Sequence, residues 1–334
     1  MQTAMANFQA LVVGVGDYVA PGFANLPATI NDATAMSAML RDPQLCGYPA
    51  DNVHTLLGEQ ATLENMRFAL GEMARRSVLA ETTLVYYSGH GGRAYEDASW
   101  HAYLCPRGAD PDCLASTALS AEDFSRALAA IGGQRLVVML DSCFASGAAE
   151  LKSASSTTQW KTGWADSNYM LLSQGSGRVV IASSKEGQVS YVREQGDLSL
   201  FTYHLLAALG GKAAIRGDGL IHILDVFDYL STAIPRDNPA QEPILKVQNA
   251  DANFPIALAG LAASPTVDAA TPAPAPTAPT PSTPSTPSAP CTPSTPVGSP
   301  FNYIGHIDNT GGTVAMGQTV NVGMPPSDNP TGQS

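Results

Sequence analysis

The sequence predicts an α/β fold, a three-layer sandwich in which a mostly parallel sheet is flanked by helices. Three observations point there. Short β-rich runs alternate with longer runs of helical period from Phe8 to about Ala263, the order of a parallel sheet covered on both faces. Several of the helical runs open on residues suited to capping a helix. At 334 residues, with 44% hydrophobic and 14% charged residues, the composition is that of a globular chain able to bury a sizeable core.

The elements follow in order. LVVGVG is the first strand, and NDATAMSAMLRD, with Ala33, Met36, Met39 and Leu40 spaced for one face, is a helix. NVHTLL is a second strand. TLENMRFALGEMARRS opens on Thr62 as N-cap before an amphipathic helix. TTLVYYSGHGG gives a third strand, SAEDFSRALAAI a helix capped by Ser120, and QRLVVMLDSC a fourth strand. After Gly147 the pattern lapses for about thirty residues, AAELKSASSTTQWKTGWADSNYMLLSQGSG. That stretch reads as too polar and small for core and long for a plain connection, hence as a mobile or functional loop. RVVIASS resumes as a strand, LSLFTYHLLAAL and HILDVFDYLSTAI are helices, and EPILKV is a last short strand.

Charge and cysteine usage exclude several function classes. With 17 basic against 29 acidic residues the formal charge is -12, which argues against a binder of nucleic-acid backbones. Cys46, Cys105, Cys113, Cys143 and Cys291 are odd in number and irregularly spaced, so a reduced chain without a structural zinc site is expected. The opening MQTAMANFQALVVGVGDY has neither a basic start nor a long apolar segment before a cleavage site. With no run of about 18 apolar residues elsewhere, a cytoplasmic protein without a membrane span is expected. Gly14-Val15-Gly16 lacks the third glycine and the later acid of a dinucleotide-binding turn.

Two strands end in reactive groups. One runs into Ser88-Gly89-His90-Gly91-Gly92, the other into Asp141-Ser142-Cys143. In open α/β sheets the site lies outside the carboxyl ends of the strands. A thiol near a base becomes a strong nucleophile, and glycines let backbone N–H groups turn toward a developing oxyanion. Cys143 and His90 are therefore the candidate dyad. An acid that ends a buried strand, as Asp141 does, is costly unless it is paired.

SGHG at one strand end and DSC at the next, together with VVGVGDY, LPATINDATAM, YLCPRGAD, VVIASSKEGQVSYV and GDGLIHILDVFDYL in this order, resemble the caspase-like cysteine peptidases. The likeness is to the metacaspase and bacterial orthocaspase branch of peptidase family C14 and spans about residues 8 to 255. It implies the caspase-haemoglobinase-like sandwich, with His90 as general base, Cys143 as nucleophile and the N–H groups of Gly91 and Cys143 as oxyanion hole. It also implies an acidic pocket from Asp32, in Asn31-Asp32-Ala33, and Asp141, with Ser88 beside the histidine, and protein substrates cut after Arg or Lys. Two desolvated carboxylates facing one cavity would be costly unless such a cation enters, and Arg is favoured where a bidentate pairing forms. The other reading of Asp32 is an acid near a helix N-terminus, stabilised by the helix dipole. Phe144 stands where many metacaspases carry His. Many members need Ca2+; the acids on offer here, Glu96, Asp97, Asp110 and Asp112, are a thin set for an ion that takes about 6 to 8 oxygens. Asp218 lacks the repeat of a calcium loop and reads as a turn residue.

Residues 1–263 are thus expected to form the peptidase domain, with a large-subunit-like part at about 8–147, an intersubunit-like loop at about 148–177 and a small-subunit-like part at about 178–255. Lys152 and Lys161 in that loop are candidate self-cleavage sites. Residues 264–300, rich in Pro, Thr and Ser, read as a disordered linker, and 301–334 as a short Gly/Asn/Val motif with a turn at Asn309 to Gly312. That motif is suited to pairing with its own copies or a partner strand, and it loosely resembles short prion-like signalling motifs. No Lys or Arg follows Lys246, so a protease specific for basic residues cannot remove this tail from itself. The competing expectation is a catalytically idle scaffold that acts through the tail; peptide ligation by the same acyl-enzyme is a further one.

Overall fold

A computed structural model of the chain describes residues 5–77, 80–96, 98–142, 159–162 (backbone only), 164–248 and 253–259. All of them fall within one unit, Met1–Cys291. The linker, the terminal motif, Cys143, Phe144, Lys152 and Asp97 lie outside the described residues.

The strands are β1 (Phe8–Gly14), β2 (Val53–Leu57), β3 (Thr82–Ser88), β4 (Gly91–Glu96), β5 (Ser99–Leu104), β6 (Leu119–Ser120), β7 (Arg135–Asp141), β8 (Gln159–Thr162), β9 (Arg178–Ala182), β10 (Leu220–His222), β11 (Ile244–Gln248) and β12 (Pro255–Leu258). The helices are α1 (Pro27–Arg41), α2 (Leu63–Arg76), α3 (Leu114–Thr117), α4 (Ala121–Ala129), α5 (Asp166–Leu172), α6 (Leu200–Ala207) and α7 (Ile223–Asp237).

Six strands form the central sheet in the order β11-β9-β7-β3-β1-β2. All neighbours are parallel except β11, which runs antiparallel to β9. Side chains alternate across this sheet because the strand period is two. Leu11 and Val13 of β1, Val85 and Tyr87 of β3, and Val138 and Leu140 of β7 pack with α2, α4 and α5. Val12, Leu84, Tyr86, Val137 and Met139 face α1, α6 and α7. The result is the expected three-layer α/β sandwich.

Thr62 accepts from the N–H of Asn65 at 3.2 Å and Ser120 from that of Asp123 at 3.0 Å, so both expected caps form. Helix α1 begins earlier than its apolar period suggests, with Pro27 in its first turn, where a missing N–H costs nothing. Three expectations are corrected. The stretch after Gly147 is not polar throughout: Trp164, Tyr169 and Leu172 are fully buried and α5 packs into the core. The third strand ends at Ser88 rather than running through Gly92, and the residues after His90 form the hairpin β4/β5, joined by β6 and β8 in a separate four-stranded sheet. Finally, Cys46 and Cys105 are buried free thiols, whereas Cys113 is disulfide-bonded, so the chain is not reduced throughout. Asp218 does sit in a turn, accepting from the N–H of Leu220 at 2.9 Å. Among the described residues no helix is long and apolar enough to cross a membrane.

Candidate active site

The parallel register brings three strand ends level: Gly14 of β1 pairs with Ser88 of β3, and Ser88 with Asp141 of β7. The sheet order reverses at β1 and β3, so the crevice there is the natural binding position of this architecture. The loop from Val15 to Leu26 closes over it. Val15 donates its N–H to the Ser88 carbonyl at 2.9 Å, and Leu26 donates to the Gly16 carbonyl at 2.8 Å.

This loop holds His90. Its imidazole packs against Tyr18 and Phe23, with ring centroids 4.7 and 5.2 Å away. The backbone N–H of His90 donates to Tyr18 Oη at 2.7 Å, and Tyr87 Oη donates to the His90 carbonyl at 2.8 Å. Nε2 lies 2.8 Å from the Ala24 carbonyl. A carbonyl can only accept, so Nε2 carries the proton and Nδ1 is left as the basic nitrogen. Burial pushes the imidazole pKa down to about 4, opposed by the Ala24 hydrogen bond, because the charged form is poorly solvated in this apolar setting. His90 is thus a neutral base of fixed tautomer.

Gly91 makes a close approach. A Cβ added there would lie 3.0 Å from Ser142 Cβ and 3.1 Å from its Oγ. A side chain at this position would crowd Ser142, the residue that precedes Cys143, so glycine suits the start of β4. Ser142 itself is buried and its Oγ has no partner among the described residues.

Asp32 and Asp141 are both fully buried. Asp32 lies in the second turn of α1, outside its first turn, so the helix-dipole reading does not explain it. Its Oδ2 accepts from Ser88 Oγ at 2.9 Å and its Oδ1 from the N–H of Ser199 at 2.9 Å. Asp141 Oδ1 accepts from Ser190 Oγ at 2.7 Å, and its Oδ2 from Thr202 Oγ1 at 3.1 Å and from Ser199 Oγ. Among the described residues no Lys or Arg pairs with either. Desolvation raises the pKa of both carboxyls; the Asp141 charge raises that of Asp32 further, while the hydroxyl and N–H donors lower both. Two buried acids held by neutral donors, with no Lys or Arg paired to either among the described residues, are costly to ionise together.

The structure therefore brings Asp32, Ser88 and Asp141 together and sets His90 and Gly91 at the neighbouring strand ends. The backbone of Lys161 lies in β8, opposite Arg93 of β4. The residues missed in the sequence are Tyr18 and Ala24, which orient the histidine, and Ser190, Ser199 and Thr202, which hold the carboxyls. Ser199 was legible as a helix cap in DLSLFT; the others act through contacts that sequence spacing does not encode. Of the calcium candidates, Glu96 accepts from Tyr103 Oη at 2.6 Å and Asp110 from the N–H of Asp112 at 3.0 Å. Among the described residues no three His, Cys, Asp or Glu side chains group to hold a metal ion.

A three-layer α/β sandwich with a buried neutral histidine at one strand end and a DSC ending on the next defines a candidate cysteine peptidase. Residues 8–255 match the caspase domain, peptidase C14, and the chain belongs to that family. A comparison with curated proteins found no match. Among solved structures, a protein from Geobacter sulfurreducens is 19% identical, with 72% of this chain and 92% of that one covered at a TM-score of 0.50. The Drosophila initiator caspase Dronc is 10% identical, with 76% and 84% covered at a TM-score of 0.51. What these structures share with the chain is the caspase-like fold.

Proposed function

We propose that the chain is a cysteine endopeptidase of the metacaspase and orthocaspase type that cleaves after Arg or Lys. The observation that carries this reading is the pair of fully buried carboxyls, Asp32 and Asp141, held by hydroxyl and N–H donors with no cation opposite among the described residues. A substrate guanidinium or ammonium supplies the missing charge.

In this reading Nδ1 of His90 takes the proton of the Cys143 thiol, and the thiolate attacks the carbonyl carbon of the basic residue itself. The N–H groups of Gly91 and Cys143 hold the oxyanion as the tetrahedral intermediate forms. Collapse breaks the C–N bond; the protonated His90 gives its proton to the leaving amine, and a thioester remains. A water deprotonated by His90 then hydrolyses the thioester and frees the thiol. The Ala24 carbonyl keeps Nε2 protonated throughout and so keeps Nδ1 at work.

The same reading divides the chain into the peptidase domain of residues 1–263, a linker of 264–300 and a terminal assembly motif of 301–334, with self-processing at Lys152 or Lys161. It assigns the protein to the cytoplasm and to a bacterial stress, cell-death or defence pathway, with protein substrates and homotypic or partner assembly through the tail. Purified protein incubated with fluorogenic peptides ending in Arg, Lys or Asp, with and without calcium, tests it beside Cys143→Ala. Turnover of Arg and Lys peptides that disappears in Cys143→Ala is the expected result. Turnover of the Asp peptide, or turnover that survives in Cys143→Ala, overturns the proposal.

A further inference from the structure

Ser199 hydrogen-bonds both carboxyls. Its N–H donates to Asp32 Oδ1 at 2.9 Å and its hydroxyl donates to Asp141 Oδ2. It is fully buried, and as N-cap of α6 its Oγ also accepts from the N–H of Thr202 at 3.0 Å. The residue closes a hairpin: Val192 bridges to Ser199, Leu200 donates its N–H to the Tyr191 carbonyl at 2.8 Å, and Arg193 donates its N–H to the Leu198 carbonyl at 3.0 Å. Ser190, at the other foot of that hairpin, also donates to Asp141. One hairpin thus grips the acidic pair at both feet.

We propose that Ser199 is a specificity-determining positioning residue, which couples Asp32 to Asp141 as a single cation-binding unit and sets the pH at which that unit accepts a basic side chain. The proposal rests on the reading of the site as a pocket for Arg or Lys. Its physical content is direct. A basic group binds best when both carboxyls are ionised, so binding releases the proton that burial favours. The Ser199 hydroxyl favours the ionised form of Asp141, because a hydroxyl donated to a carboxylate stabilises its charge. Without that hydroxyl the pair ionises at higher pH, and substrate affinity is weaker below it. Among the described residues, the titratable groups facing the pair are the two carboxyls themselves, from α1 and β7, and the Tyr86 phenol of β3, whose Oη lies 2.5 Å from Thr202 Oγ1. The hairpin and α6 present only hydroxyl and N–H donors to it.

The test uses Ser199→Gly, Ser199→Ala and Ser199→Thr in the full chain. Glycine keeps the backbone N–H and is tolerated at an N-cap, so it removes the hydroxyl with little cost to the helix. Threonine restores the hydroxyl. Kinetic constants for an Arg fluorogenic peptide are measured across pH, and the rate of alkylation by iodoacetamide is measured in parallel as a readout of the thiol that needs no basic group. The expected result for Ser199→Gly is a rise in KM on the order of tenfold at neutral pH, with the acid limb of kcat/KM moved to higher pH. Alkylation rate is unchanged, and Ser199→Thr returns toward the parent profile. If Ser199→Ala is too unstable to assay, the glycine and threonine variants decide the matter. A parent-like KM and acid limb in Ser199→Gly overturns the inference while leaving the pocket reading intact. A parent protein that turns over no Arg or Lys peptide overturns both.

Discussion

Replacing His90 by Phe, in a Cys143→Ala background so that no self-cleavage intervenes, should change how stability depends on pH. The phenyl ring can occupy the slot between Tyr18 and Phe23, but it cannot titrate and cannot donate to Ala24. Burial holds the folded-state pKa of His90 at about 4, below its ordinary 6.5. The unfolded chain therefore binds this proton more tightly. The stability that neutral His90 allows is complete above its unfolded value, is lost as pH falls through 6.5 toward 4, and is fully lost below both. Between about pH 7 and about pH 4.5 the loss from this one group is about 2 to 3 kcal/mol. Other ionisable groups are common to both chains and cancel in their difference. At neutral pH His90→Phe should be the less stable by about 1 kcal/mol, for the lost hydrogen bond to Ala24. Urea unfolding of the two chains at a series of pH values gives the difference directly. It should reverse in favour of Phe as the pH falls. A difference that stays constant over this range refutes a buried neutral imidazole with Nε2 bonded to Ala24.

Three further outcomes follow from the same contacts. Asp32→Asn should raise Tm at about pH 8: burial and the Asp141 charge raise the Asp32 pKa, so its ionisation opposes folding as pH rises above the unfolded carboxyl value, and the amide removes that opposition. The same variant should lose on the order of 100-fold in kcat/KM for Arg peptides, read by thermal melts and steady-state kinetics. Gly89→Ala places a Cβ 2.7 Å from Tyr87 Oη and 3.0 Å from Tyr18 Oη, the two groups that hold the His90 backbone. It should destabilise by about 1 to 3 kcal/mol and lower kcat more than it raises KM. Finally, the Lys161 backbone is paired in the β8 ladder against β4, so self-processing should be blocked by Lys152→Ala and little changed by Lys161→Ala, as judged by band patterns beside Cys143→Ala.

The strands and amphipathic helices were legible because each carries its own period: Met66, Ala69, Leu70 and Met73 mark the buried face of α2, and Val137 to Leu140 a strand buried on both sides. Thr62 and Ser120 announced their helices through a hydroxyl whose target lies three residues on. What failed was local pattern without period. Trp164, Tyr169 and Leu172 are sparse among polar neighbours and are core only because α5 lies on α4. The β4/β5 hairpin hid behind the glycines that let Gly91 approach Ser142. At the site, His90 and Asp141 stood out because reactive side chains at strand ends are unusual, and Asp32 through its place in Asn31-Asp32-Ala33, a motif of the family the chain resembles. The contacts that tune them run from Tyr18, Ala24, Ser190 and Ser199, with separations such as 66 residues for Ala24 and 167 for Ser199 with Asp32. Those are set by the sheet order, which no local stretch of sequence states.

The most direct test of the central claim is covalent labelling of the full chain with peptidyl electrophiles that differ only in the residue before the warhead, Arg or Asp, followed by intact mass and peptide mapping. A single adduct on Cys143 with the Arg reagent, lost in Cys143→Ala, strongly reduced in Asp32→Asn and not formed with the Asp reagent, is the expected result. Labelling by the Asp reagent at equal rate, or an Arg adduct on any cysteine other than Cys143, would contradict the account.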